Sequence, residues 1–173
     1  ANTVMWYATQ ARDAYPYYEH TAIGYNYRMS NVIAGVVRGQ YPHLEEHIAQ
    51  KKAIYERYRD GLKDLPVRLN PIVEDTEPNY WLSAAIIDKD CMCQQVREDT
   101  TGSCVLEKGK TCPTEILKTL AEYNAEGRPI WKPMHMQPMY CEHEFVTASS
   151  SECVDVGADI FERGLCLPSD IKM

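Results

Sequence analysis

Apolar residues recur at helical spacing through the first third of the chain. Ser30 precedes valines and an isoleucine at this spacing, which predicts a helix that Ser30 caps. Pro42 predicts a kink, and a long amphipathic helix is expected from His43 to Leu62. Residues 1–10 are also compatible with a helix, whereas residues 11–24 read as loop.

Beyond residue 65 the pattern alternates between extended and helical spacing. An extended piece is predicted at 67–78, followed by a strand at 79–90 that is apolar on both faces. A helix is predicted at 113–125, where Thr111 would cap it and Gly127 would stop it. The remaining predicted elements are an extended segment at 128–138, a helix at 151–163 and a strand at 165–168. Together these elements predict a small α/β domain, in which a few-stranded sheet carries helices on one side.

Composition narrows the class of protein. The 173 residues are 45% hydrophobic and 25% charged, which is typical of a globular domain with part of a second. The net charge of −7 argues against a nucleic-acid partner. No apolar run approaches the ~18 residues of a membrane span. We therefore expect a cytoplasmic protein with neither a nucleic-acid nor a membrane partner.

Four of the seven cysteines fall in the polar segment 89–112, which reads as an irregular insertion. They are Cys91, Cys93, Cys104 and Cys112. We interpret them as reduced thiols, because a chain of this length folds without disulfides. Zinc is the alternative, although the spacing matches no standard finger or ribbon. His43 and His47 could also share a metal, but their spacing equally suits the polar face of a helix. No metal site is predicted.

Two segments carry candidate chemistry. In GYNYRMSN (24–31), Gly24 permits a close turn, and Asn26 and Arg28 offer donors beside a helix N-terminus, which favours a phosphate or carboxylate ligand. In RPIWKPMH (128–135), Trp131 offers a stacking face, Lys132 a cation and His135 a donor, which suits a nucleotide or sugar phosphate. A packed capping turn and an ordinary loop with an inward tryptophan are the alternatives.

Three blocks carry a family resemblance: WYATQARD with the segment 15–40, RPIWKPMHMQP, and FERGLCLPS. They resemble the DegT/StrS family of sugar-nucleotide aminotransferases, enzymes that use pyridoxal 5'-phosphate (PLP) and have the type I aminotransferase fold. The second and third blocks are most similar to members that aminate UDP-4-keto-6-deoxy-N-acetylhexosamines in pilin and surface-glycan pathways. The resemblance implies a homodimer with shared active sites, a nucleotide-sugar substrate and an amino-acid donor.

The resemblance also implies how the chain is divided. Residues 1–29 would be the end of the large PLP domain with its active-site loop, 30–64 a long connecting helix, and 65–173 the small C-terminal domain with an insertion at about 89–112. The family's Schiff-base lysine would lie before WYATQARD, so no catalytic residue is assigned. We expect this C-terminal part to be inactive by itself.

Site residues follow from the same resemblance. Asn26 would reach the cofactor phosphate of the neighbouring subunit, and Arg28 would lie in the same active site. Trp131, Lys132 and His135 would contact the nucleotide sugar. Three other functions stay open: a PLP-dependent sugar dehydratase, a non-catalytic nucleotide-sugar-binding or dimerisation domain, and a zinc-binding interaction domain.

Overall fold

The chain forms two compact units, residues 1–45 and 46–173. The computed structural model describes residues 1–97, 102–140, 142–146 and 155–172. The α-helices within these residues are α1 (Asn2–Ala8), α2 (Asn31–Gln40), α3 (Leu44–Leu62), α4 (Pro113–Glu122) and α5 (Val156–Arg163). The strands are β1 (Val67–Leu69), β2 (Ser83–Ile87), β3 (Gln95–Val96), β4 (Ser103–Cys104), β5 (Arg128–Pro129) and β6 (Gly164–Leu167). This mixed architecture confirms the predicted α/β class.

In the first unit, the segment before α2 returns along the end of α1. The Tyr25 N–H donates to the Tyr7 carbonyl (2.8 Å), and the Gln10 N–H donates to the Tyr25 carbonyl (2.9 Å). At Gly24 the two backbones nearly touch, because a Cβ atom there would lie 2.1 Å from the Gln10 carbonyl carbon. The predicted close turn at Gly24 is therefore present.

Helix α2 begins where its sequence predicts. The Ser30 Oγ accepts a hydrogen bond from the Ile33 N–H at 3.3 Å, which confirms the cap. Its apolar residues are all exposed: Val32, Ile33, Val36 and Val37. The helix therefore forms from local signals without burying its apolar stripe inside this unit.

The second unit is built on an antiparallel sheet with the strand order β1-β2-β6-β5. Ala85 of β2 pairs with Leu165 of β6, and both are almost completely buried. Together with Ile87 they form the core, against which Ile116 and Leu117 of α4 pack. The sheet therefore buries one continuous apolar face under α4.

Helix α3 is attached to the sheet loops by polar atoms at the tips of long side chains. The Tyr55 hydroxyl donates to the Asn70 carbonyl (2.9 Å), and the Tyr58 hydroxyl donates to the Pro168 carbonyl (2.7 Å). The predicted long amphipathic helix is confirmed, and a 3-10 turn at Tyr41–His43 occupies the predicted break at Pro42.

Several predicted boundaries are wrong. The strand expected over 79–90 is limited to β2, and Trp81 is exposed instead of lying between two buried faces. Helix α4 ends at Glu122, before the predicted stop at Gly127, and Asn124 takes a left-handed backbone conformation just after the helix (φ 57°). Tyr123 follows the helix end and is exposed, so it adds nothing to the apolar face.

The caps of two later helices also differ from the prediction. Cys112, and not Thr111, occupies the N-cap position of α4, without a side-chain cap hydrogen bond. Helix α5 begins at Val156 behind an Asp155 cap, and Gly164 is its C-cap as predicted. The predicted helical residues 151–154 lie outside the described residues.

The described residues of the predicted insertion, 89–97 and 102–112, have more order than their polar composition predicts. Strands β3 and β4 pair, and Cys112 is fully buried. The Arg97 guanidinium donates to the carbonyls of Phe161 (2.8 Å) and Glu162 (2.7 Å) at the end of α5, where a cation also opposes the helix dipole. These bonds attach the segment to the domain. Its interpretation as an insertion stays a prediction.

Candidate functional site

The first candidate site lies between Gly24 and α2. The Tyr25 and Tyr27 rings stack with centroids 5.0 Å apart and planes inclined by 16°. In an extended segment, alternate residues share a face. Asn26 forms an isolated β-bridge with Thr9, Arg28 lies in a bend two residues later, and both are exposed. Two exposed polar donors thus lie just before a helix.

That helix start favours an anion. The N–H groups of a first helical turn have no acceptor within the helix, and the helix dipole adds positive potential. Ser30 satisfies the N–H of Ile33 only. The neutral amide of Asn26 and the cationic fork of Arg28 extend this potential away from the helix end. The donor set fits a phosphate group.

The second candidate site is the proline-rich loop after β5. Trp131 is exposed, which excludes the alternative of an inward tryptophan, and Lys132 beside it is also exposed. His135 is half-buried, and its ring stacks on Phe145 at 4.0 Å between centroids. The loop therefore presents a large ring and a cation to solvent while it holds the histidine in place.

His135 is held by a carboxylate that sequence reasoning missed. The His135 Nε2 lies 2.6 Å from the Asp155 Oδ2. The other Asp155 oxygen accepts the Ala158 N–H at 2.8 Å and caps α5. This backbone bond first, and the His135 contact second, lower the pKa of Asp155. An aspartate directly before a helical run is an N-cap signal, so the cap was open to prediction; the contact with His135 was not.

The structure groups the predicted site residues into two sets. Trp131, Lys132 and His135 share one loop of the second unit, whereas Asn26 and Arg28 belong to the first unit. One exposed aromatic residue close to this loop was not among the predicted site residues. Trp81 lies beside Trp131, with ring centroids 6.2 Å apart.

Metal binding gains no geometric support. Among residues 1–97, 102–140, 142–146 and 155–172, no three His, Cys, Asp or Glu side chains are arranged to hold a metal ion. The five described cysteines are free thiols. Burial, followed by the contact with the Cys112 thiol, raises the pKa of Cys104. Burial also raises the pKa of Cys112, against a backbone hydrogen bond that lowers it. In the same part of the chain, no helix is long and apolar enough to cross a membrane.

Comparison with solved structures defines the class of fold. The sugar aminotransferase Spr1654 from Streptococcus pneumoniae, in its PLP-form, matches 98% of this chain and 38% of its own with a TM-score of 0.72 at 16% identity. At that identity the match shows the fold alone: an aminotransferase fold. The sequence goes further, because the DegT/DnrJ/EryC1/StrS aminotransferase family matches residues 3–173. The chain belongs to this family.

Two relatives match most of the chain. EpsN of Bacillus subtilis (strain 168), described as a pyridoxal phosphate-dependent aminotransferase, is 35% identical over 96% of the chain. A GDP-perosamine synthase of Vibrio cholerae is 30% identical over 88% of it. The chain spans only 37% and 35% of these relatives' lengths.

Proposed function

We propose that these residues are the C-terminal part of a PLP-dependent aminotransferase that transfers an amino group from an amino acid to a keto nucleotide sugar. The match of the aminotransferase family to residues 3–173 carries this proposal. The product would be an amino sugar for a surface polysaccharide or a glycoprotein glycan. A UDP-4-keto-6-deoxy-N-acetylhexosamine is the substrate that we favour, with glutamate as the amino donor.

Asn26 and Arg28 would hold the cofactor phosphate. PLP supplies the electron sink that transamination requires, and the protein supplies binding and orientation. Both side chains are exposed and directly precede the N-terminus of α2, where anions are stabilised. Arg28 adds a charged, bidentate contact that a lysine could not reproduce. We propose that these two residues serve the neighbouring subunit of a homodimer.

The loop after β5 would bind the nucleotide sugar. Lys132 and His135 supply donors for the diphosphate or the sugar, and Trp131 supplies a stacking surface. Asp155 would act as a positioning residue, because its carboxylate forms a hydrogen bond with the Nε2 of His135 and so fixes the orientation of the ring. The other ring nitrogen, Nδ1, is then the atom left to face a substrate.

The test is an assay of the whole enzyme that contains these residues, with glutamate and a panel of UDP- and GDP-linked keto sugars. We expect amino-sugar formation with at least one of them. Asn26→Ala and Arg28→Ala should weaken PLP binding about tenfold, with little change in KM for the sugar. Lys132→Ala and His135→Ala should raise that KM and leave PLP binding unchanged.

Other outcomes would identify the alternatives. Loss of water from the sugar without amino transfer would identify a dehydratase. Nucleotide-sugar binding without turnover of any sugar would identify a non-catalytic binding or dimerisation domain. Exposed controls for the charge changes are available at Arg59 and Lys52, whose substitution should leave both constants unchanged.

A further inference from the structure

Two tryptophans lie side by side on the surface of the second unit. Trp81 and Trp131 are 64% and 65% exposed, although large aromatic rings are usually buried. Their ring centroids are 6.2 Å apart, and the planes are inclined by 33°. The pair therefore offers π-faces that the described residues leave open to solvent.

Hydrogen bonds fix the backbone of Trp81, whereas its side chain is exposed. The Trp81 N–H donates to the Asn79 Oδ1 (3.1 Å), and the Trp81 carbonyl accepts from the Ser169 hydroxyl (3.4 Å). Tyr80, directly before it, has a φ of 52°, a left-handed conformation that is unfavourable for a bulky residue. Backbone strain of this kind persists where the surrounding structure fixes it, and it is concentrated at functional sites.

A cation lies under the same segment. The Lys51 ammonium donates to the Ser169 carbonyl and, at 3.5 Å, to the Trp81 carbonyl. An ammonium has three donors, so one is left for a further acceptor. In the described part of the chain, no carboxylate lies within ion-pair distance of Lys51, and none lies within that distance of Lys132 beside Trp131. Lys51 is thus bonded to the backbone of Trp81 and Lys132 follows Trp131 in the sequence, both without an acidic partner among the described residues, in a chain with a net charge of −7.

We propose that Trp81 and Trp131 form a platform for the base of a nucleoside diphosphate, with Lys51 and Lys132 attracting its phosphates. This inference rests on the proposed function and extends it by adding Trp81 and Lys51, which the family resemblance does not supply. A base stacks on aromatic rings whatever its identity, so the platform tolerates uracil and guanine. The lysines favour an anionic nucleotide over an uncharged apolar partner.

The test is calorimetric titration of the 173-residue chain with UDP, GDP and inorganic pyrophosphate. We expect both nucleotides to bind more tightly than pyrophosphate, because pyrophosphate has no base to stack. Trp81→Ala should weaken UDP and GDP binding about tenfold, the loss expected for one base–aromatic stack, without changing pyrophosphate binding. Trp6→Ala, in the other unit, is the matched control and should change nothing. Lys51→Met should weaken all three ligands, whereas Lys52→Met should weaken none.

A second measurement does not depend on the alanine variant. The chain has three tryptophans, so Trp6→Phe combined with Trp131→Phe leaves Trp81 as the sole indole emitter. We expect UDP to quench its fluorescence with the affinity found by calorimetry, and Trp81→Phe to retain binding within about threefold, because a ring remains.

Several results would overturn the inference: equal affinity for pyrophosphate and UDP, unchanged binding by Trp81→Ala, no binding by the chain, or emission that changes with protein concentration instead of nucleotide. The last result would mean that a second copy of the chain covers the rings. Failure of the proposed function looks different. If Trp81 governs nucleotide binding and the whole enzyme transfers no amino group, the platform stands and the aminotransferase proposal falls.

Discussion

His135 illustrates what single residues disclose before a structure is known. Its place in RPIWKPMH predicted a donor near a substrate, and that role stays a prediction. The sequence could not reveal that Asp155 fixes its ring, because the two residues are twenty positions apart and meet only through the packing of the loop on α5. The exposure of Trp81 was equally hard to predict. Its apolar neighbours in the sequence are typical of a buried strand, but its ring is exposed.

We predict that the Asp155 carboxylate makes a pH-dependent contribution to the stability of the folded chain. Its pKa is lowered in the folded chain, so its contribution is present above the pKa of an unfolded aspartate, about 3.9, and is lost as the pH falls through the lower folded value. We expect Asp155→Asn to keep the helix cap but lose the charge facing His135, which gives a modest fall in Tm at pH 6 that shrinks as the pH falls below the ordinary aspartate pKa of about 3.9.

Asp155→Ala supplies the comparison, because it removes the cap as well and should lower Tm further at every pH. Thermal unfolding followed by circular dichroism between about pH 2 and pH 7 measures both variants. A Tm difference between wild type and Asp155→Asn that is constant over this range would contradict the assigned role of the charge.

At the scale of elements, the sequence predicts best where the signal is local. Ser30 caps α2, and periodicity marks α3, because both depend on neighbours in the chain. Strand ends depend on pairing partners far along the chain, which explains why β2 is much shorter than its apolar run: it extends only as far as β1 and β6 pair with it. The β3–β4 pair escaped prediction because two-residue strands leave no periodic pattern.

The junction between α5 and β2 depends on a buried arginine. Arg163 donates to the Ile87 carbonyl and pairs with Asp159 one helical turn earlier. The Arg163 hydrogen bond, supported by Lys89, lowers the pKa of Asp159 to about 2. Asp159→Asn leaves the guanidinium without its counter-charge, so we expect the free energy of unfolding to fall by about 1–2 kcal/mol at pH 7.

This loss should shrink as the pH drops from about 4 to 2, because the wild-type carboxylate then becomes protonated too. Urea unfolding at pH 7 and pH 2.5 provides the measurement. Asp60→Asn removes the partner of the exposed Arg59 and is the control, with an expected change below about 0.5 kcal/mol. Equal effects of the two substitutions at pH 7 would refute the role of the buried pair.

Two glycines of the first unit should respond to alanine in opposite directions. At Gly24 the new methyl group would collide with the backbone of Gln10 and Ala11, whereas at Gly35 in α2 no atom lies within 4 Å. We expect Gly24→Ala to destabilise this unit by at least about 1–3 kcal/mol and Gly35→Ala to stabilise α2 by about 1 kcal/mol. Helical circular dichroism during thermal unfolding distinguishes them, and equal shifts of Tm would show that local crowding does not control the turn.

For the whole molecule, we propose a division of the cofactor site: this chain supplies ligands for the PLP phosphate, and the lysine that bonds PLP lies elsewhere in the whole enzyme. This division leads to a prediction about the cofactor. Asn26 and Arg28 are the proposed ligands of the cofactor phosphate, and we expect none of the lysines among these residues to bond PLP. Lys51, for example, is occupied by two backbone carbonyls. A lysine that bonds PLP covalently needs a lowered pKa and a site that orients the cofactor. We therefore expect the 173 residues alone to develop no saturable absorption band of lysine-bound PLP, whereas the whole enzyme does.

Borohydride reduction followed by peptide mapping makes this test specific, because it converts any lysine–PLP bond into a permanent label. Sparse labelling spread over exposed lysines is the expected result for the chain, and one stoichiometrically labelled lysine is expected for the whole enzyme. Arg28→Ala should leave the sparse labelling of the chain unchanged, since random surface reaction needs no phosphate site. Stoichiometric labelling of a single lysine within these 173 residues, sensitive to Arg28→Ala, would instead place the complete cofactor site in this chain and overturn the proposed division.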